Sequence, residues 1–207
     1  MASTAALVSL RLMSHPAPLD PAVPARWTAD RYLRLVDEGV LGPEDRVELL
    51  EGVIVAMAPQ NEPHAAGVRR LGQALFRAVG DRAVVQVQLA LISGRHSVPE
   101  PDAAVLPGTV ADYDRAHPRT ALLVVEVADT SLKQDRLTKR AIYAAAGVPE
   151  YWVVDLVGDR VEVHRSPIPA ERRYAETSVA LRGGRLDLVA LPGASVAVDD
   201  LLPSRER

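Results

Sequence analysis

Two nearly unbroken apolar runs stand out along this chain, Leu122 to Ala128 and Tyr151 to Asp155, the first interrupted internally only by Glu126. Runs of this length bounded by turn-type residues predict strands buried on both faces. Between them, Lys133 to Ala146 is predicted to be helical, and Gly147 stops it. The result is a strand–helix–strand unit with a single carboxylate where a packed core favours none. Such a group is costly unless a cation, a hydrogen bond or a raised pKa compensates for it.

The remaining pattern surrounds that unit. Thr28 reads as an N-cap opening a helix over Ala29 to Glu38, with Tyr32, Leu35 and Val36 as its apolar stripe. Arg46 to Met57 divides into two strand-like halves around Glu51-Gly52, a hairpin signal. Glu51 reads there as a solvent-facing edge residue. From His64 to Val79, the positions Val68, Leu71, Leu75, Phe76 and Val79 follow helical spacing, with Arg69, Arg70 and Arg77 on the polar side. Ala83 to Ile92 alternates as a strand, with Gln86 and Gln88 on one face. The stretch PEPDAAVL places Asp102 at the mouth of a short apolar strand through Leu106. After Asp155, the segments Arg160 to His164, Tyr174 to Leu181 and Arg185 to Val189 read as antiparallel strands extending the sheet. Tyr151 and Trp152 read as core or dimer packing.

Composition narrows the classes. The 207 residues fit one domain, expected over residues 26–203, preceded by a loose proline-rich arm over residues 1–25 that reaches a partner subunit. Without cysteine the chain has no disulfides, thiolate metal sites or cysteine nucleophile. No apolar span approaches membrane length and no secretory signal is evident, so the expected location is cytoplasmic, with no membrane partner. A net charge of −3 means that any nucleic-acid contact uses a local patch.

The chemistry lies in the acidic residues. Asp102 and Glu126 fall on successive strands. If these pair, two hard oxygen donors converge on a site suited to Mg²⁺ or Mn²⁺, completed by water and a substrate phosphate. Such an ion acidifies a bound water and stabilises charge building on a phosphoryl oxygen. Asp135, Lys139 and Tyr143 recur at four-residue spacing and share one helix face. Structural alternatives exist for each. Asp102 would be a turn residue capping its strand, Glu126 a buried salt bridge to Lys139, and Lys139 a helical ion pair with Asp135.

The stretches RVELLEG, His64 after a proline-rich loop, PEPDAAVL and VVEVADTSLKQDRLTKRAIYAAAGVPEYWVVD resemble the Uma-two family of restriction-endonuclease-like proteins, of PD-(D/E)XK type. The resemblance runs from about Trp27 to the last strands. It implies an α/β fold, a mixed central sheet flanked by helices, with the extra antiparallel C-terminal strands. It also implies metal ligation by Asp102 and Glu126, with the Val127 main-chain carbonyl as a further ligand and Glu48 completing the shell directly or through water. The family's lysine two residues beyond the glutamate is replaced here by Ala128, and Lys139 from the following helix matches the position that substitutes for it. His64 matches a recurrent histidine at a helix start.

The function implied is Mg²⁺- or Mn²⁺-dependent hydrolysis of DNA phosphodiesters, with Lys139 steadying the attacking water and Glu48 assisting. His64 and Gln88 would stand at the substrate, and Arg69, Arg70, Arg136 and Arg140 would grip the backbone. A homodimer is expected from the arm, the apolar YWVV strand and the family. Ala128 and the slightly negative charge favour a different class, a non-catalytic interaction or nucleic-acid-binding module that retains the scaffold without the reaction.

Overall fold

The computed structural model describes residues 25–129 and 135–204. The arm expected at the N-terminus, up to residue 24, and the expected helix start at Lys133 lie outside them. A six-stranded sheet forms the centre. Its strands are β3 (Val84–Gln86), β4 (Ala103–Leu106), β5 (Leu123–Ala128), β6 (Glu150–Asp155), β7 (Arg160–Ile168) and β8 (Arg173–Leu181), adjacent in that order. Only β5 and β6 run parallel. That one parallel pair needs a crossover, and the helical stretch between the two apolar runs supplies it.

Period-two alternation assigns the two faces. Leu123, Val125 and Val127 pack with Val68, Leu71 and Leu75 of α2 (Glu62–Val79) on one face. Val124 and Ala128 pack on the other face with Ile142 and Tyr143 of α3 (Arg140–Ala145). Glu126 shares the parity of Val124 and Ala128, so its side chain emerges towards α3. Asn61 caps α2, its Oδ1 accepting from the His64 amide at 3.0 Å. The helix α1 (Ala29–Asp37) and a hairpin of β1 (Val47–Leu50) and β2 (Val53–Ala56) form a third apolar cluster beside the sheet.

Close approach of α2 to β5 depends on a glycine. A Cβ at Gly67 would stand 2.7 Å from Val127 Cγ1, a branched atom on a buried strand that has no room to yield. Gly67→Ala is therefore expected to lower unfolding stability by about 1–3 kcal/mol, read from the urea midpoint.

Several elements depart from expectation. The strand foreseen over Ala83 to Ile92 is only three residues long, because Gln88 adopts φ +52° and the Gln86 Nε2 donates to the Leu89 carbonyl at 3.1 Å. The chain leaves the ladder there, and Gln86 and Gln88 no longer share a strand face. The crossover begins, in its described part, as a π-helical turn over Asp135–Lys139 before α3, so its start is wider than the α-helix foreseen. The strand β7 runs on to Ile168. By contrast, β9 (Arg185–Asp187) pairs with β10 (Ser195–Ala197) in a separate two-stranded sheet instead of extending the central one. A short α4 (Val198–Leu201) follows. Phe76, expected in the apolar stripe of α2, is 57% exposed, because it lies off the line through Leu71, Leu75 and Val79. Tyr151 and Trp152 are fully buried in β6, an interior strand, so the YWVV segment is core and offers no dimer surface.

Beneath α3, His164 on β7 stacks on Tyr151 with centroids 5.7 Å apart, and its Nδ1 lies 3.0 Å from Thr177 Oγ1. Burial pushes its pKa down to about 4, and the Arg140 charge adds to the effect. The unfolded imidazole takes up a proton near its ordinary value of ~6.5, the folded one only near 4. Between these values the unfolded state holds more protons. The His164 contribution to stability should therefore be complete above about pH 6.5 and fall as the pH drops towards 4, by on the order of 3 kcal/mol. Urea midpoints across that window should show the slope, and His164→Phe should flatten it.

Candidate active site

The antiparallel register of β4 and β5, with Ala103 opposite Val125, brings Asp102 alongside Glu126 at the end of β5. Both share the parity of residues that face α3. Asp102 is held from several sides. Its Oδ2 accepts from the Val127 amide at 2.8 Å and lies 3.1 Å from His64 Nε2, while its Oδ1 accepts from Gln88 Nε2 at 3.1 Å. The left-handed conformation that ends β3 at Gln88 is thus found where its side chain reaches the carboxylate, an example of uncommon backbone at a site of dense polar contact. In an extended strand the N–H and C=O of one residue face the same edge, so the Val127 carbonyl is turned to the Asp102 side as well.

Glu126 is met from the crossover. Lys139 Nζ stands 3.1 Å from Glu126 Oε1, and Tyr143 Oη donates to the same oxygen at 2.8 Å. The other oxygen, Oε2, accepts weakly from the Asp102 amide at 3.4 Å. Glu48 on β1 completes the ring, its Oε2 standing 3.6 Å from Lys139 Nζ and accepting from the Glu100 amide at 3.2 Å. Both Glu126 and Lys139 are more than nine-tenths buried. The ionic reading of Glu126 and its grouping with Asp102 are therefore not alternatives: the glutamate does both. Asp135, buried on the π-helical turn, lies close enough to raise the pKa of Glu126.

The electrostatics follow from an excess of acid. Burial raises the pKa of Glu126 well above the carboxylate range; Lys139 opposes the shift, and Asp135, Asp102 and Glu48 add to it. Burial alone would lower the pKa of Lys139, but Glu126, Glu48 and Asp135 outweigh it and hold the ammonium charged. Glu100 is also pushed up, first by burial and then by Glu48. His64 is raised by its hydrogen bond to Asp102, against the effect of burial. Among the described residues the carboxylates here outnumber the one ammonium.

These groups line a cavity of about 720 Å³ that also takes in Gln88, Glu100 and Asp129. Asn61 Nδ2 donates to Asp129 Oδ2 at 2.5 Å, tying the loop before α2 to the end of β5. The donor set suits a hard dication: two carboxylates and a main-chain carbonyl, in surroundings with surplus negative charge. Among the described residues no group of three or more His, Asp and Glu side chains is set out as ligands. An ion here would keep several waters, as Mg²⁺ commonly does.

Not every candidate joins the cluster. Glu48, His64, Gln88, Asp102, Glu126 and Lys139 come together. Arg69, Arg70, Arg136 and Arg140 do not line the cavity. Arg69 is exposed on α2, and Arg70 donates to Ser204 Oγ at 3.1 Å. Arg136 is taken up by Glu162, at 2.9 Å from Nε, and by Asp155 at 3.1 Å. Arg140, at the start of α3, lies near His164 on the sheet face that α3 covers. Helical spacing gives a residue's face on its own element but not the carboxylates that wait on the next one. Conversely, Tyr143, which the spacing puts on the Lys139 face without a role, and Glu100, which no sequence pattern marks, belong to the site. The four-residue step from Lys139 to Tyr143 was the available signal.

A model of the Uma2 family, described as "Putative restriction endonuclease", matches residues 29–199. Among solved structures, the chain is similar to one described as "a putative nuclease belonging to DUF820 from Anabaena variabilis ATCC 29413". The two share 20% identity with a TM-score of 0.65, over 84% of this chain and 96% of that one, a likeness of fold. No curated protein matches the chain. No helix among the described residues is long and apolar enough to cross a membrane.

Proposed function

Because the chain belongs to the Uma2 family, and because its buried carboxylates meet a charged lysine in one cavity, we propose that it is a metal-dependent DNA hydrolase cutting phosphodiester bonds. Asp102, Glu126 and the Val127 carbonyl would hold Mg²⁺ or Mn²⁺, with Glu48 acting through water. The chemistry such an ion supplies is acidification of water and neutralisation of phosphoryl charge. Gln88, His64 and the Val127 amide fix the orientation of Asp102. Lys139 keeps its charge beside the place where the reacting phosphate and water would stand, and there it steadies the water and the charge of the departing oxygen. Tyr143 holds Glu126 from below.

The single observation that carries this reading is the 3.1 Å contact of Lys139 with Glu126. It brings an ammonium to the carboxylate although Ala128 stands where the family lysine would be. That weighs against one of the two motives of the silent-module reading, the missing lysine, and leaves the other, the slightly negative charge. The test is cleavage of short DNA by purified protein with Mg²⁺ present and with it removed by chelation, alongside Mn²⁺ titration by calorimetry. Neither cleavage nor ion binding in the intact protein would leave only the scaffold. A homodimer remains part of the proposal on family grounds, with sedimentation at micromolar concentration as its check.

A further inference from the structure

The cavity has two unlike sides. Its floor carries the carboxylates and Lys139. The wall from α1, the turn after it and the hairpin is largely apolar, with Val36, Leu41, Pro43, Val47 and Met57, and Arg46 is its one cation. Val36 is 43% exposed there. The cavity's 720 Å³ falls within the range of roughly 300–1,000 Å³ usual for small-molecule sites, enough for one nucleotide unit. Among the described lining residues, only Lys139, Arg46 and His64 carry or accept positive charge, against six carboxylates.

We propose that this apolar wall is a subsite for the base of an unpaired nucleotide, so that the hydrolase takes single-stranded DNA in preference to continuous duplex. The inference rests on the hydrolase reading above and extends it to the substrate class. A duplex presents one phosphate charge per ~1.7 Å of axis, and proteins that grip it spend several cations on the phosphates. Here Arg46 is the one arginine on the described lining, Arg136 is occupied by carboxylates, and six acidic groups share the cavity. In a duplex the bases are stacked inward, so none can lie against a wall that shares one small cavity with its own phosphate. An unpaired nucleotide meets no such conflict: its phosphate reaches the floor while the base covers apolar surface otherwise left to water. Tyr32, only 5% exposed, backs the same wall, its hydroxyl donating to the Val47 carbonyl at 2.8 Å.

The experiment compares a labelled single strand, a hairpin duplex of the same sequence and bis(4-nitrophenyl) phosphate, each with Mg²⁺. The wild-type chain is set against the double variant Val36→Gln/Met57→Gln, which makes the wall polar without adding charge. Binding of both DNAs is also measured by fluorescence anisotropy with Ca²⁺. The single strand should be bound more tightly and cut at least about tenfold faster in kcat/KM than the duplex, the scale of one base contact. The double variant should raise KM for the single strand about five- to tenfold and change kcat little. Equal binding and cutting of duplex and single strand, or an unmoved KM in the variant, would overturn the subsite and leave the hydrolase standing. Hydrolysis of the small diester alone would do the same. No hydrolysis of any substrate, together with no Mn²⁺ binding, would remove the hydrolase reading and this inference with it.

Discussion

Asp102→Asn is expected to reduce Mg²⁺-dependent DNA cleavage on the order of 1,000-fold and to abolish Mn²⁺ binding by calorimetry. The size follows from the ~4 kcal/mol that a thousandfold loss represents, comparable with the several kcal/mol a Lewis acid contributes to a phosphoryl transition state. The substitution keeps the shape of the side chain and removes its charge. It also has a structural cost. Both Asp102 oxygens accept hydrogen bonds, Oδ2 from the Val127 amide and Oδ1 from Gln88, with His64 close to Oδ2. Asparagine has one acceptor oxygen, so one donor would face an NH₂ group, at about 1–3 kcal/mol. Thermal unfolding must therefore be measured alongside, and the comparison made below the variant's transition. Cleavage that persists at the wild-type rate in folded Asp102→Asn would remove the carboxylate from the reaction.

Lys139→Met is expected to lower unfolding stability by roughly 3–5 kcal/mol, the range found when one partner of a buried ion pair is removed. The methionine fills much of the volume, so the loss reports charge. Glu126, Glu48 and Asp135 would remain buried without the ammonium that now stands 3.1 Å from the first and 3.6 Å from the second. Adding Glu126→Gln to Lys139→Met should recover much of the loss, because it removes the buried carboxylate that the ammonium stood 3.1 Å from. A double variant no more stable than the single one would mean that Lys139 acts by packing. The same single variant is expected to lose DNA cleavage, and at a temperature where it stays folded that loss separates the catalytic role of the ammonium from its structural one.

The site was legible in part. Asp102 and Glu126 declared themselves because each interrupts or opens an apolar run in a way that needs a physical reason. Lys139 and Tyr143 followed from a four-residue step, which survives in the structure although the described part of the segment opens as a π-helical turn. Glu48 needed the family resemblance, since an acidic residue in a hairpin otherwise reads as solvent-facing. Gln88 was placed on a strand face that does not exist. Its left-handed backbone is a local conformation that no alternation of apolar residues encodes. Arg136 looked like a free cation on a helix, and Glu162 and Asp155 take it up.

What the sequence determined by itself was most of the local elements and, within them, the face of most apolar residues. Helical and strand periods are properties of a few consecutive residues, and burial of one face follows from them. It thereby also determined that a carboxylate had to lie inside. The tertiary structure alone decided which faces meet: that α2 and α3 cover opposite sides of one sheet, that β9 leaves that sheet, and that Arg69, Arg70, Arg136 and Arg140 stay off the cavity while Lys139 enters it. Those choices depend on contacts between residues far apart in the chain, where shape, desolvation and charge balance are settled jointly. No short window of sequence contains both partners.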